Sequence, residues 1–231
     1  MIHFIGDIHG DFLGLTNKIR ALNITNATLI QVGDFGVGFQ SFEQDMLSIK
    51  KLNNFLLKTR NHLHVIRGNH DNPKFFDGSI RRSNLHLLKD YSIVQAEGKH
   101  IFLAGGAVSI DRRQRMVDRN YWTDESFEFD LQKLESISSE IDNIDIVVTH
   151  SCPAEFWPYT VDSIKRYLMR DKSLLTDIEN ERTALSKLLH VLVTTNKKNL
   201  RWYYGHFHES KSGSFNQIRY RALRTNEIIH I

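Results

Sequence analysis

One cysteine in 231 residues, Cys152, leaves no internal disulfide to form, which predicts a chain kept in a reducing cytoplasm. No stretch approaches the length of consecutive apolar residues that a membrane-crossing helix needs, and the first residues read as an apolar strand rather than a basic segment leading into a long apolar run. Only three prolines occur, without a low-complexity tract or a repeat of fixed period. This excludes a solenoid and a linker rich in Pro, Gly or Ser, and predicts one domain over residues 1–231. Charge of one sign is scarce as well. A net charge of +3 falls well short of a polyanion-coating protein and names no partner.

What is present is apolar and periodic. The 41% of hydrophobic residues is ample for a core. Six short apolar runs, MIHFIG, ATLIQVGD, HLHVIRGNH, KHIFLAGG, IDIVVTH and LRWYYGH, read as buried strands, most of them followed by a glycine turn. Between them, Phe12, Leu15, Ile19 and Leu22 fall at helix spacing, as do Phe42, Met46, Ile49, Leu52 and Leu56, with Ser41 and Gln44 forming a capping-box pattern ahead of the second set. The rhythm loosens over 107–123. Helical patterns follow at about 124–141 and 162–195, and the tail from Ser212 alternates like a hairpin or meander. Strands alternating with helices predict a mixed α/β architecture, in which ligands gather beyond the carboxyl ends of the strands.

Those strand ends carry the chemistry. Asp7 and His9 follow the first run, Asp34 the second, Asn69 and His70 the third, His150 the fifth, and His206 and His208 the sixth. Carboxylate, imidazole and carboxamide donors without thiolate suit Mn, Fe, Zn or Ni in a catalytic role. The donors are too many for one ion, whereas two ions roughly 3.5–4 Å apart, bridged by a carboxylate such as Asp34, would use them all and clamp both oxygens of a phosphoryl displacement. Gly6, Gly33, Gly68 and Gly205 each precede such a donor, where a side chain would crowd the site.

In order along the chain, GDIHG at 6–10, GDFG at 33–36, GNHD at 68–71, VVTH ending at His150 and GHFH at 205–208 resemble the five metal-site blocks of the calcineurin-like metallophosphoesterase superfamily. The resemblance implies a four-layer sandwich of two mixed β-sheets flanked by helices. Residues 107–142 would form a variable insert and 162–195 a helical segment. It matches Asp7, His9 and His208 to one metal, Asn69, His150 and His206 to the second, and Asp34 to the bridge, with two divalent ions, Mn²⁺ foremost. His70 matches the family's non-ligand histidine. As an imidazolium it would protonate the leaving oxygen while a hydroxide between the metals attacks, and Asp71 is a candidate for its orienting carboxylate.

The serine/threonine protein phosphatase branch reads GDxxDRG where this chain reads GDFGVGF, so that branch's second aspartate and its arginine are missing. The phosphate grip is then expected from Arg67, which precedes GNH, and from the arginine-rich segment DRRQRMVDRNYW, where Arg112 and Arg113 cluster with Arg115 and Arg119, with Tyr121 and Trp122 to stack on a base. The expected substrate is a phosphate mono- or diester, a small phosphorylated compound or a nucleotide. The alternatives are a nuclease-like phosphodiesterase on RNA or DNA, a protein phosphatase, and a metal-binding interaction module without turnover.

Overall fold

Near-continuous apolar strands form where both faces of a sheet are covered, and that is how the six runs fold. The computed structural model describes residues 1–196 and 198–231. β1 (Ile2–Ile5), β2 (Thr28–Gln31), β3 (His62–Val65) and β4 (Leu85–Leu87) lie parallel in that order. In a second sheet, β6 (Lys99–Ala104), β7 (Ile146–Thr149), β8 (Arg201–Tyr204) and β10 (Ile218–Ala222) are parallel, and β5 (Ser92–Ala96) and β9 (Lys211–Phe215) flank them antiparallel. The last strand, β11 (Ile228–His230), leaves this sheet and pairs antiparallel with β1.

Alternation along each strand sorts its side chains between two interfaces. Ile2, Phe4, Ile30, Ile101, Leu103, Ile146, Val148 and Tyr203 fill the gap between the sheets, where Phe4 and Tyr203 stack at 3.9 Å. The outer face of the first sheet is covered by α1 (Phe12–Ala21) and α2 (Phe42–Thr59), whose Leu15, Ile19, Ile49, Leu52 and Leu56 pack on Ile5, Leu29 and Leu63. Asp11 caps α1, and the Ser41–Gln44 capping box forms at the start of α2. On the outer face of the second sheet, Phe102, Val147, Trp202 and Tyr204 meet Leu185, Leu188, Leu189 and Leu192 of a long helix, completing a four-layer α/β sandwich.

The structure differs from the sequence reading in two places. Residues 124–129 are not helical, because Arg67 takes the carbonyl oxygens of Asp124, Glu125 and Ser126 that a helix would use for itself, so the helices there are only α3 (Leu131–Ser136) and α4 (Ser138–Ile141). The segment at 162–195 breaks into α5 (Lys165–Leu168) and α6 (Leu174–Thr195) around Asp171, a buried carboxylate that pairs with Arg112 and Arg113. The tail makes the expected hairpin, of β9 and β10, and then crosses to the other sheet. Among the described residues no helix is long and apolar enough to cross a membrane.

Candidate metal centre

Parallel strands in each sheet send their carboxyl ends to one edge, so the loops after β1, β2 and β3 face those after β7 and β8. Four of the candidate donors sit in left-handed backbone: His9 (φ 46°), Asp34 (φ 55°), His206 (φ 67°) and His208 (φ 55°). Such a conformation costs a non-glycine residue about 1–2 kcal/mol, and its concentration here marks loops built to aim side chains rather than to relax. Gly33 (φ 100°) lets the second loop pass beneath His150, whose ring an added Cβ would strike.

One ligand atom from each of Asp7, His9, Asp34 and His208 lies within 4.8 Å of all the others. His9 Nε2 faces His208 Nε2 at 3.1 Å, and His208 Nε2 is 3.3 Å from an Asp7 oxygen, a bond that raises the pKa of His208. The backbone N–H of His206 donates to Asp7 at 3.0 Å, and that of His70 to Asp34 at 2.7 Å, which fixes both carboxylates.

A second set adjoins the first through Asp34. His150 Nε2 lies 3.2 Å from Asp34 Oδ1 and 3.2 Å from Asn69 Oδ1, and His206 Nδ1 lies 2.9 Å from the same Asn69 oxygen. His150 Nδ1 sits 2.8 Å from the Val32 carbonyl, which holds the proton on that nitrogen and leaves Nε2 directed inward. Asn69 Nδ2 donates to Ser109 Oγ at 3.0 Å, and Ser109 donates to Glu125, so the carboxamide oxygen also points into the site.

Burial would raise the Asp34 pKa, but His150, His70 and His9 bring it well below the usual carboxylate range. Burial opposes charge on His150 too, yet Asp34 outweighs it and lifts that pKa to about 10. His206, buried and beside His150, falls well below the ordinary histidine value. With this many lone pairs converging, protons must stand where cations fit better. At Gly68, moreover, a Cβ would occupy the space between Asp34 and His150. The residues therefore fit divalent metal.

His70 is beside both sets but belongs to neither. Its Nε2 is 2.7 Å from an Arg115 guanidinium nitrogen, and because arginine only donates, the ring accepts there and is neutral. Burial, with Arg115 and His9 adding to it against Asp34, lowers its pKa to about 4. Asp71 makes no hydrogen bond to His70 among the described residues. Its carboxylate accepts instead from the backbone N–H groups of Phe35, Gly36, Val37 and Gly68, so it clamps two donor loops together rather than orienting the histidine.

A cavity of about 290 Å³ opens from Asp34, Asn69, His70, His206 and His208. Arg115, held by Asp111 at 2.7 Å, lines it, as do Trp157, Tyr159, Tyr167 and Glu181. The residues expected to grip substrate lie elsewhere. Arg67 is buried against Asp90 and three carbonyl oxygens, which consume its donors. Arg112 is tied to Asp171 and Asp177, and Arg113 also turns to Asp171. Trp122 is buried with its ring edge-on to Phe39, out of reach of a base, and Tyr121 faces a separate cavity that Glu181 also borders. Arg115 was within the arginine-rich segment all along. Only its spacing of four from Asp111 set it apart.

A family model described as calcineurin-like phosphoesterase matches residues 1–210. Among curated proteins, no sequence matches the chain. Solved structures similar to it include a Staphylococcus aureus protein described as a 5'-nucleotidase, solved with alpha-ketoglutarate (14% identity, 98% of this chain and 49% of the other, TM-score 0.51). Another is a phosphopantetheinyl hydrolase from Mycobacterium tuberculosis (15% identity, 97% of this chain and 89% of the other, TM-score 0.47). The chain spans about half the length of the first of these, and at such identity the likeness is one of fold.

Proposed function

We propose, from the premise that this chain belongs to the calcineurin-like phosphoesterase family, that it uses two divalent cations to hydrolyse a phosphate ester of a small molecule or mononucleotide. The observation that carries the reading is the pair of donor sets joined at Asp34, each with nitrogen and oxygen lone pairs turned toward one another. Asp7, His9 and His208 would hold one ion, Asn69, His150 and His206 the other, and Asp34 both. Manganese is the metal expected, although the mixed set also suits Fe, Zn or Ni. Bound there, the ions would supply Lewis acidity, activating a water and neutralising charge on the phosphoryl oxygens.

The chain's own groups do the rest. Arg115 is anchored by Asp111, so its guanidinium is preset to donate to a phosphoryl oxygen entering the cavity. His70 rests neutral against Arg115; once that guanidinium turns to a phosphoryl oxygen, the freed Nε2 beside a phosphate dianion would take a proton from solvent, and the imidazolium would hand it to the leaving oxygen. Asp71 and Ser109 keep the donor loops and the Asn69 amide in register while this occurs. The buried, unpaired thiol of Cys152 supports work in a reducing compartment such as the cytoplasm.

The test is hydrolysis of an aryl phosphate and a bis-aryl phosphate by Mn²⁺-loaded protein. We expect turnover of at least one ester, and its loss together with bound metal in Asp34→Asn. Chelated protein that hydrolyses neither ester after reloading with each common divalent metal would leave a metal-binding interaction module in place of an enzyme.

A further inference from the structure

The second sheet has one strand more than the first, and near that end its inner face changes character. On β8, Arg201 stands two residues before Tyr203 and therefore on the same side of the sheet. Their partners across the parallel ladder to β10 are Arg219 and Arg221, so Arg201 and Arg219 face each other directly. Like charges set opposite one another on a ladder are destabilising unless a counter-charge joins them.

Only one of the three arginines has such a partner. Arg221 donates to Ser212 and Ser210 at 2.8 Å and to Glu227 at 2.6 Å. Among the described residues neither Arg201 nor Arg219 forms a salt bridge. Burial raises the pKa of the Tyr203 hydroxyl, and Arg201, Arg219 and Arg221 all pull it back, which puts three positive charges around one phenol. These side chains line a cavity of about 430 Å³ together with Ser212 of β9 and, from the first sheet, His230 of β11. No lining side chain is acidic, and none is shared with the cavity at the metal centre. The volume lies within the ~300–1,000 Å³ usual for small-molecule pockets.

We propose that this groove between the sheet edges is a second ligand site, which takes a phosphate dianion, free or as the head of a small ester, between the guanidinium groups of Arg201 and Arg219. Two uncompensated positive charges match one dianion, and two neighbouring planar forks offer N–H donors to separate oxygens of a tetrahedral group. Arg221, already met by Glu227, frames the site rather than carrying its charge. A bare phosphate fills only a fraction of the cavity, which leaves room for the sugar of an ester beside Tyr203. The site is independent of the phosphoesterase reading.

Thermal unfolding of the Mn²⁺-loaded full-length protein tests it, with inorganic phosphate and ribose 5-phosphate as probes, each at about 20 mM against chloride of equal ionic strength. Either anion can also reach the metal centre, so the readout is the difference between wild type and Arg201→Gln/Arg219→Gln, each referred to its own Tm in chloride. For a Kd on the order of 1 mM, the wild-type Tm should rise roughly 4–7 °C more than that of the variant. A larger difference with ribose 5-phosphate assigns an ester, and equal differences assign the free anion. Equal shifts in wild type and variant overturn the proposal, as does a wild-type Tm no higher in either probe than in chloride. If the double variant does not fold, Arg219→Glu, changed at an exposed side chain, decides in its place. The comparison reads binding rather than turnover, so it decides this site whether or not the protein hydrolyses an ester.

Discussion

Replacing Asp71 with asparagine separates two roles that the sequence alone runs together. In the structure, one carboxylate oxygen accepts from Phe35 and Gly68 and the other from Gly36 and Val37. Asparagine keeps one acceptor oxygen and turns an NH₂ group against two backbone N–H groups, so two of these four bonds are lost. At about 1.5 kcal/mol for each bond to a charged acceptor, the loss is at most roughly 3 kcal/mol, or about 6–12 °C in Tm for a chain of this size, and the relief gained by removing a buried charge offsets part of it, since burial and the neighbouring Asp34 raise the Asp71 pKa to about 7. Because the clamp joins the loop of Asp34 to that of Asn69, metal affinity and kcat should fall together, kcat by roughly 100-fold for a displacement on the order of 1 Å. The assay is a thermal unfolding scan beside Mn²⁺ titration and aryl phosphate turnover, with Asp71→Asn made alone and in a His70→Asn background. For a positioning residue acting on the loops, the two losses in turnover add in logarithm. An unchanged Tm, with a D71N effect that disappears once His70 is gone, would refute the clamp and return Asp71 to orienting the histidine.

Arg67→Met should cost about 3–5 kcal/mol by stranding Asp90 and three carbonyl oxygens, a Tm loss of roughly 6–20 °C by scanning calorimetry, and a variant with wild-type Tm but weakened phosphate binding would reinstate a substrate role. Glu181→Gln should be stabilising in a pH-dependent way. The folded carboxyl holds its proton up to about 7 and the unfolded one releases it near 4.5, so wild-type stability declines as pH rises through that window. The variant escapes this decline, and its Tm advantage should grow from nil near pH about 4 to at most about 6–12 °C near pH about 8, the equivalent of roughly 3 kcal/mol. An advantage that shrinks with rising pH would reverse the sign argued here. Gly68→Ala should keep the far-ultraviolet circular dichroism of the wild type but weaken Mn²⁺ binding roughly 10- to 100-fold, because the new methyl group presses on Asp34 and His150, and unaltered affinity would show the loop free to yield.

That the candidate donors would meet was legible because each stands just past an apolar strand, most of them beside a glycine, and parallel strands leave such ends no choice but to meet. The helices α1 and α2 were legible for a similar reason, since their periodicity and caps are local. What failed was long-range competition for hydrogen bonds. Nothing near Arg67 in sequence shows that residues 124–126 will hand it their carbonyl oxygens, and nothing near Arg112 shows Asp171 arriving from the far side of β7. Arg67, Arg112 and Arg113, expected at the phosphate, thus spend donors on the protein itself. For Asp71 too, the neighbour in sequence is His70 but the neighbours in space are four backbone amides. Glu181 gave a signal of another kind, one acid interrupting a regular apolar stripe, visible only when the stripe is followed residue by residue.

Of the seven donors, Asp7, His9, Asp34 and Asn69 ride on one sheet, and His150, His206 and His208 on the other. A pair of cations there would act as a rivet through both plates, sensitive to any sideways slip of one against the other. Trimming Tyr203, which stacks on Phe4 deep between the plates, would then loosen the grip on metal without touching a single coordinating atom.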